Sequence, residues 1–237
     1  MLLGLAAAAL WLATPAESGE PRPAAIGSGR LVVVPVNLAV RAVPEVESGI
    51  EPVWRALLEY FASEAQPVIA LDRLDASALW NEVMADAKKA GDEKNLYAVY
   101  GHFARRVAAQ AQFESILFPT LITQAAHVSG RMASWDGVRR PIEIPGQFNE
   151  TIDTFREGKI WLARHGGTGE LAAASLHIAV VSANGDLRYE GRGGLVLLQE
   201  LTPPENANGR EFVTVMRKDA FAAPDQLREG IEAAFRE

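Results

Sequence analysis

The sequence contains no cysteine and has fewer basic than acidic residues. Without cysteine the chain can form no disulfide, no thiolate metal site and no cysteine nucleophile. Its 23 Lys and Arg residues against 30 Asp and Glu residues give a net charge of −7. This charge argues against non-specific nucleic-acid binding, which needs a basic surface. No hydrophobic stretch reaches the roughly 20 residues that cross a membrane.

Hydrophobic and charged residues, at 49% and 22% of the 237 residues, occur in the proportions of a folded globular protein. A chain of this length can form one large domain or two small ones, with a sizeable core. No internal repeat is found, and the sequence predicts one domain over residues 30–237.

The amino-terminal residues predict export. The uncharged run Leu2–Ala13 is followed by small residues, as in a secretory signal peptide, although no Lys or Arg precedes it. We expect residues 1–18 to be the signal and residues 19–29 a flexible leader, which places the mature protein in the bacterial periplasm. No cysteine follows the run, so no lipid anchor is expected. The alternative interpretation is a short buried helix.

The order of helices and strands predicts an α+β fold. The β-branched run Leu31–Val40 is typical of a buried strand, although Pro35 can donate no ladder hydrogen bond. Ser48 and Glu51 form a capping-box pattern ahead of an amphipathic helix. Further elements are predicted as a buried strand at 67–71, helices capped at Asp75 and running over 95–112, strands over 115–144, a strand at 211–216 and a last helix at 225–235. We expect a two-layer sandwich with a mixed β-sheet covered mainly on one face by helices.

A hairpin is the sharpest local pattern in the second half of the chain. Residues 175–181 and 186–192 flank Asn184 and Gly185, the pair favoured in a two-residue type I′ turn. That turn pairs Val180 with Tyr189, which places the apolar side chains of both strands on one face.

Two aromatic segments are candidates for binding a partner. At residues 135–140 an aromatic side chain precedes two arginines at a turn, a combination suited to a partner or an anionic group. The second segment is the long loop 145–170. The candidate residues are Trp135, Asp136, Arg139, Arg140, Phe155 and Trp161. The alternatives are a tight Asp-Gly turn with a core tryptophan and solvated arginines, and aromatics that pin the loop to the domain.

No catalytic motif stands out. The sequence has no G-x-S-x-G nucleophile elbow, no H-E-x-x-H zinc motif and no P-loop, and its four histidines are widely spaced. Residues 167–172 match G-x-G-x-x-A, but a strand-like segment follows where a dinucleotide site needs a helix. We therefore expect no catalytic residue, no cofactor and no metal.

The order of elements resembles a known family. The residues that carry the resemblance are LVVVPV (31–36) with the helix after it, PVIALDRL (67–74), FESILFPTL (113–121), SLHIAVVSANGDLRYEGR (175–192) and LREGIEAAF (227–235). They are similar to the domain shared by the N-terminal part of TolB, the curli secretion lipoprotein CsgG and the penicillin-binding-protein activator LpoB. The resemblance implies a periplasmic α/β sandwich that binds envelope proteins without catalysis. The chain departs from the lipoprotein members in lacking their lipid-anchored cysteine, and no binding residue carries over.

These observations together predict a non-catalytic periplasmic accessory or assembly protein whose partners are envelope proteins. Two alternatives remain open at this point. One is an extracytoplasmic hydrolase whose active site follows no motif. The other is a small-ligand-binding protein that uses residues 145–170 as a lid.

Overall fold

A mixed sheet of seven strands forms the centre of the protein, and helices pack against it. The computed structural model describes residues 29–142, 168–202 and 213–236. The predicted α+β class is confirmed. No helix in these residues is both long enough and apolar enough to span a membrane.

The elements follow one another in an order that changes from alternating helices and strands to mainly strands. The helices of the described residues are α1 Pro44–Glu47, α2 Ile50–Ser63, α3 Arg73–Ala90, α4 Leu96–Ala108 and α5 Pro224–Ala234. The strands are β1 Leu31–Val33, β2 Val68–Ala70, β3 Ser115–Ser129, β4 Met132–Trp135, β5 Val138–Pro141, β6 Thr168–Ser182, β7 Leu187–Leu197, β8 Gln199–Thr202 and β9 Val213–Met216.

The first three strands of the sheet are parallel. β1 lies in the middle and pairs with β2 on one side and with β3 on the other. The chain therefore moves outward from β1 to β2 and then crosses back over β1 to β3. Two right-handed crossovers in opposite directions place their helices on opposite faces of the sheet. This is where α2 and the pair α3–α4 lie.

Helices consequently cover both faces of the central strands. Leu31 and Val33 face the core beneath α2 and α5, whereas Val32 faces the core beneath α3 and α4. The prediction placed the helices mainly on one face. The reason for the wider cover is visible in β1, whose three side chains are all apolar, the pattern of a strand buried on both sides. β2, predicted to be buried, is instead a half-buried edge strand.

The apolar run at 31–40 is longer than the strand it contains. β1 ends at Val33, just before Pro35, and Asn37 then adopts a positive φ of 59°. The Asn37 carboxamide accepts a hydrogen bond from the Leu121 N–H at 2.9 Å and donates one to the Leu121 carbonyl at 3.3 Å. The Asn37 N–H also donates to the Pro119 carbonyl at 3.0 Å, so backbone and side chain together hold the loop after β1 against β3.

Two predicted helix caps are wrong. The Ser48–Glu51 capping box does not form, because Ser48 ends α1 and the residue before α2 is Gly49, which makes no side-chain cap. The helix predicted to be capped by Asp75 begins earlier. Asp72 has the extended backbone that an N-cap needs, and its carboxylate accepts from the N–H groups of Leu74 and Asp75 at 2.8 and 3.4 Å.

The predicted hairpin is present, with the predicted pairing of Val180 with Tyr189. Its turn is not the two-residue type I′. The Ser182 N–H donates to the Asp186 carbonyl and the Gly185 N–H to the Ser182 carbonyl, which makes a three-residue loop with Gly185 at a φ of 91°. A β-bulge beside Val180 absorbs the extra residue. Beyond this bulge the side chains change face, so that Leu187 is exposed.

The last helix makes a backbone-to-backbone contact with β7. A Cβ atom on Gly193 would overlap the Gly230 carbonyl oxygen, and a Cβ on Gly230 would overlap the Gly194 carbonyl oxygen. Only glycine at these positions lets a helix and a strand approach so closely. The Tyr189 hydroxyl donates to the Ala234 carbonyl at 2.9 Å and so holds the carboxyl end of α5.

Gly230→Ala is expected to destabilise the protein by about 3 kcal/mol, because the new methyl group meets the backbone of β7. Gly169→Ala is the control, since a Cβ there meets no atom within 4 Å. The control should change the free energy of unfolding by less than about 0.5 kcal/mol. Urea unfolding followed by circular dichroism measures both. Equal stability of the two variants would contradict the close contact.

Candidate binding cleft and the predicted partner-binding residues

Trp135 is a core residue. Only 7% of its surface is exposed, its indole N–H donates to the Ala174 carbonyl at 3.2 Å, and its ring lies against Gly194. The exposed aromatic that motivated the partner-binding prediction is therefore not present. The tryptophan stabilises the contact between β4, β6 and β7.

The turn after Trp135 is also tied to the sheet. Asp136 and Gly137 have φ values of 36° and 77°, as expected for a tight Asp-Gly turn. The Asp136 carbonyl accepts a hydrogen bond from the Gly194 N–H at 2.9 Å. This bond joins the β4–β5 turn to β7, a strand with which neither β4 nor β5 is paired in the sheet.

The two arginines of the segment differ in their surroundings. Arg139 is exposed, whereas the Arg140 side chain is only 11% exposed and forms an ion pair with Glu229 of α5. An Arg140 N–H also donates to the Gln226 carbonyl at 3.1 Å. Arg140 thus links β5 to α5 through an ion pair and a hydrogen bond. A partner-binding role for this segment stays a prediction. Phe155 and Trp161, with most of the loop 145–170, lie outside the described residues.

Arg140→Ala is expected to destabilise the protein by about 2 kcal/mol, because α5 loses both an ion pair and a hydrogen bond to its backbone. Arg139→Ala removes the neighbouring, exposed guanidinium and should change stability by less than about 0.5 kcal/mol. Thermal unfolding of both variants tests the difference. An equal effect would mean that Arg140 has no special structural contact.

A polar cluster lies between α4 and the β6–β7 hairpin. His177 Nε2 lies 2.8 Å from Glu190 Oε1, and the Tyr97 hydroxyl donates to the same carboxylate. The hydrogen bond from His177, followed by that from Tyr97, holds the pKa of Glu190 below its ordinary value of 4.5. Burial raises the pKa of the adjacent Tyr100 to about 12. The cluster connects α4 to the sheet.

The lowered pKa of Glu190 makes stability depend on pH. The ionised carboxylate stabilises the fold above its ordinary pKa, and this contribution is lost as the pH falls through the lower pKa of the folded state. Glu190→Gln should therefore lower stability near pH 7 by about 0.5 kcal/mol, and the difference from wild type should shrink in acid. Tyr97→Phe should give a smaller change of the same sign. Unfolding curves between about pH 3 and pH 7 measure both; a constant difference would contradict this account.

A cleft of about 510 Å³ opens at the carboxyl ends of β1 and β2. Its lining comes from the loop after β1, from α1, from the start of α2 and from the first residue of α3. The lining residues are Asn37, Arg41, Ala42, Val43, Pro44, Glu47, Ile50 and Arg73. Ligands of open parallel sheets bind outside the carboxyl ends of the strands, where the strand order reverses. In this protein the order reverses at β1, so the cleft occupies that position.

Two arginines, Arg41 and Arg73, place positively charged hydrogen-bond donors in the cleft. The Arg73 guanidinium donates to the Val36 carbonyl at 3.0 Å, which fixes it beside the loop after β1. Arg41 forms no ion pair with another described residue. Arginine presents a planar set of N–H donors that matches a carboxylate or a phosphate. The lining can therefore bind an anionic group.

Sequence reasoning missed both cleft arginines. The available signal was their position, since Arg41 directly follows the apolar run 31–40 and Arg73 comes three residues after β2. In a parallel arrangement such residues meet at one edge of the sheet. A second cleft of about 430 Å³ lies on β3 and β6, and Glu170 is the one ionisable residue in its described lining.

The described residues contain no group of His, Asp and Glu side chains that could hold a metal ion. No protein-family model matches the chain, and no curated protein or solved structure was found to be similar to it.

Proposed function

We propose that this chain is a non-catalytic accessory protein of the bacterial cell envelope, which acts in the periplasm by binding other proteins. The observation that carries the proposal is the cleft at the ends of β1 and β2. Its lining combines the guanidinium groups of Arg41 and Arg73 with apolar side chains. Arginine and exposed apolar groups together are typical of protein-binding surfaces.

The position of the ionisable groups supports binding over hydrolysis. A hydrolase would hold several titratable groups with shifted pKa values inside one pocket. Tyr97, Tyr100 and Glu190, which have shifted pKa values, belong to the cluster between α4 and the hairpin. None of them lines the cleft. The groups that do line it suit recognition of an anionic ligand.

Export is supported by the sequence pattern of residues 1–18 and 19–29, which lie outside the described residues. A short apolar run followed by small residues and then a Gly- and Pro-containing leader is typical of secreted proteins. The resemblance to periplasmic envelope domains agrees with this location.

Binding of a small ligand is the second candidate function. The cleft volume of about 510 Å³ lies in the range of small-molecule pockets, which is about 300–1,000 Å³. Its place where the strand order reverses also favours this function. The two candidates differ in what they predict for cross-linking to other proteins.

Photo-cross-linking in living cells tests the proposed function. A photoreactive amino acid at Val43, which lines the cleft and is 42% exposed, should give a covalent adduct with a defined envelope protein. The adduct should appear in the periplasmic fraction, on a chain shortened by the signal. Lys88, exposed on α3, is the matched control position and should give no such adduct. Absence of any adduct at Val43, or retention of the chain in the cytosol, would contradict the proposal.

A further inference from the structure

Positive charge is locally concentrated at the cleft of an acidic protein. The chain carries a net charge of −7, yet the lining contains Arg41 and Arg73 against one carboxylate, Glu47. Within the described residues, neither arginine forms an ion pair with a carboxylate. Asp72, which adjoins Arg73 in the chain, directs its carboxylate to the N–H groups at the start of α3. In the described part of the chain, the cleft therefore offers two guanidinium groups that no carboxylate neutralises.

The arginines come from two different elements. Arg41 lies in the loop after β1, and Arg73 is the first residue of α3. The single hydrogen bond from Arg73 to the Val36 carbonyl orients its guanidinium and uses one of its five N–H donors. An arginine that is already oriented loses less conformational freedom when it binds a carboxylate.

Apolar side chains flank both arginines. Val40 precedes Arg41, Val43 lines the cleft and Leu74 follows Arg73. All three are exposed, Leu74 to 81%. A single exposed apolar residue needs no explanation. Here Val43 lies in the cleft lining, and Val40 and Leu74 are chain neighbours of the two cleft arginines, one in the loop after β1 and one in the first turn of α3.

We propose that the cleft binds an acidic segment of a partner protein, with carboxylates on Arg41 and Arg73 and apolar side chains against Val40, Val43 and Leu74. This inference rests on the proposed function and names the chemistry of the partner. Charge complementarity favours acidic groups on the partner, since the cleft lining contains two arginines and one glutamate. The exposed apolar residues favour a peptide over a small anion, because an isolated anion makes no use of them.

Selection from a phage library of random peptides of about 12 residues tests the inference on the full chain. The wild-type protein should enrich peptides in which Asp or Glu lies next to apolar residues. Arg41→Glu should reduce the enrichment of acidic peptides about tenfold, as expected for loss of a charge-assisted hydrogen bond. Arg55→Glu is the matched control, with the same change in net charge on an exposed part of α2. It should leave the enrichment within about twofold.

Several outcomes would overturn the inference. Enrichment without acidic bias, no enrichment, or an equal loss in Arg55→Glu would each show that the cleft charges do not select the partner. Thermal-shift measurements with inorganic phosphate and citrate form a second arm. Stabilisation by these ions that is lost in Arg41→Glu, without peptide enrichment, would identify a small-anion site instead.

The cellular cross-link separates this inference from the proposed function. If Arg41→Glu leaves the Val43 adduct unchanged, a partner binds the cleft without using its charge, and only the acidic-segment inference fails. If Val43 gives no adduct in the wild-type chain, the proposed function fails whatever the peptides show. Thermal unfolding of Arg41→Glu verifies that the variant is folded.

Discussion

The close contact between α5 and β7 determines how the second half of the fold is assembled. Because Gly193 and Gly230 carry no side chains, the helix backbone reaches the strand backbone directly. At that distance Arg140 of β5 can pair with Glu229 of α5, and the Tyr189 hydroxyl can reach the last turn of the helix. A contact that contains no side-chain layer tolerates no added methyl group, so it fixes the position of the helix along the strand.

The residues that fix α5 also explain why the Trp135 segment is not an exposed docking surface. The indole fills the space over Gly194, and the turn after it accepts a hydrogen bond from the same glycine. A tryptophan with a satisfied N–H in such a place stabilises packing. The two strands β4 and β5 are thereby held near β7 without pairing to it. The aromatic residue and the arginine belong to the fold, although their sequence pattern is also typical of interfaces.

Features that depend on neighbours in the chain were predictable from the sequence. The amphipathic stripe of α2 and the Gly91 end of α3 follow from local periodicity and from the preference for glycine after a helix. The pairing of Val180 with Tyr189 agrees with the alternation of apolar residues, although the turn has three residues where two were predicted. The sequence could not show contacts between distant residues. The bond between Asn37 and Leu121, the glycine contact and the pairing of Arg140 with Glu229 each join residues more than 30 positions apart. The same limit hid the cleft, because Arg41 and Arg73 meet only once β1 and β2 are aligned.

The cleft follows from topology more than from any motif. A chain that goes from β1 outward to β2 and back to β3 must leave β1 at the point where its helices diverge to opposite faces. The divergence leaves a space that side chains from the loops can line, and in this chain two of them are arginines. The net charge of −7 makes this local pair of arginines stand out, since the cleft lining holds two guanidinium groups and one carboxylate. Net charge alone therefore says little about binding, whereas the position of Arg41 and Arg73 in one cleft shows where the described part of the chain concentrates positive charge.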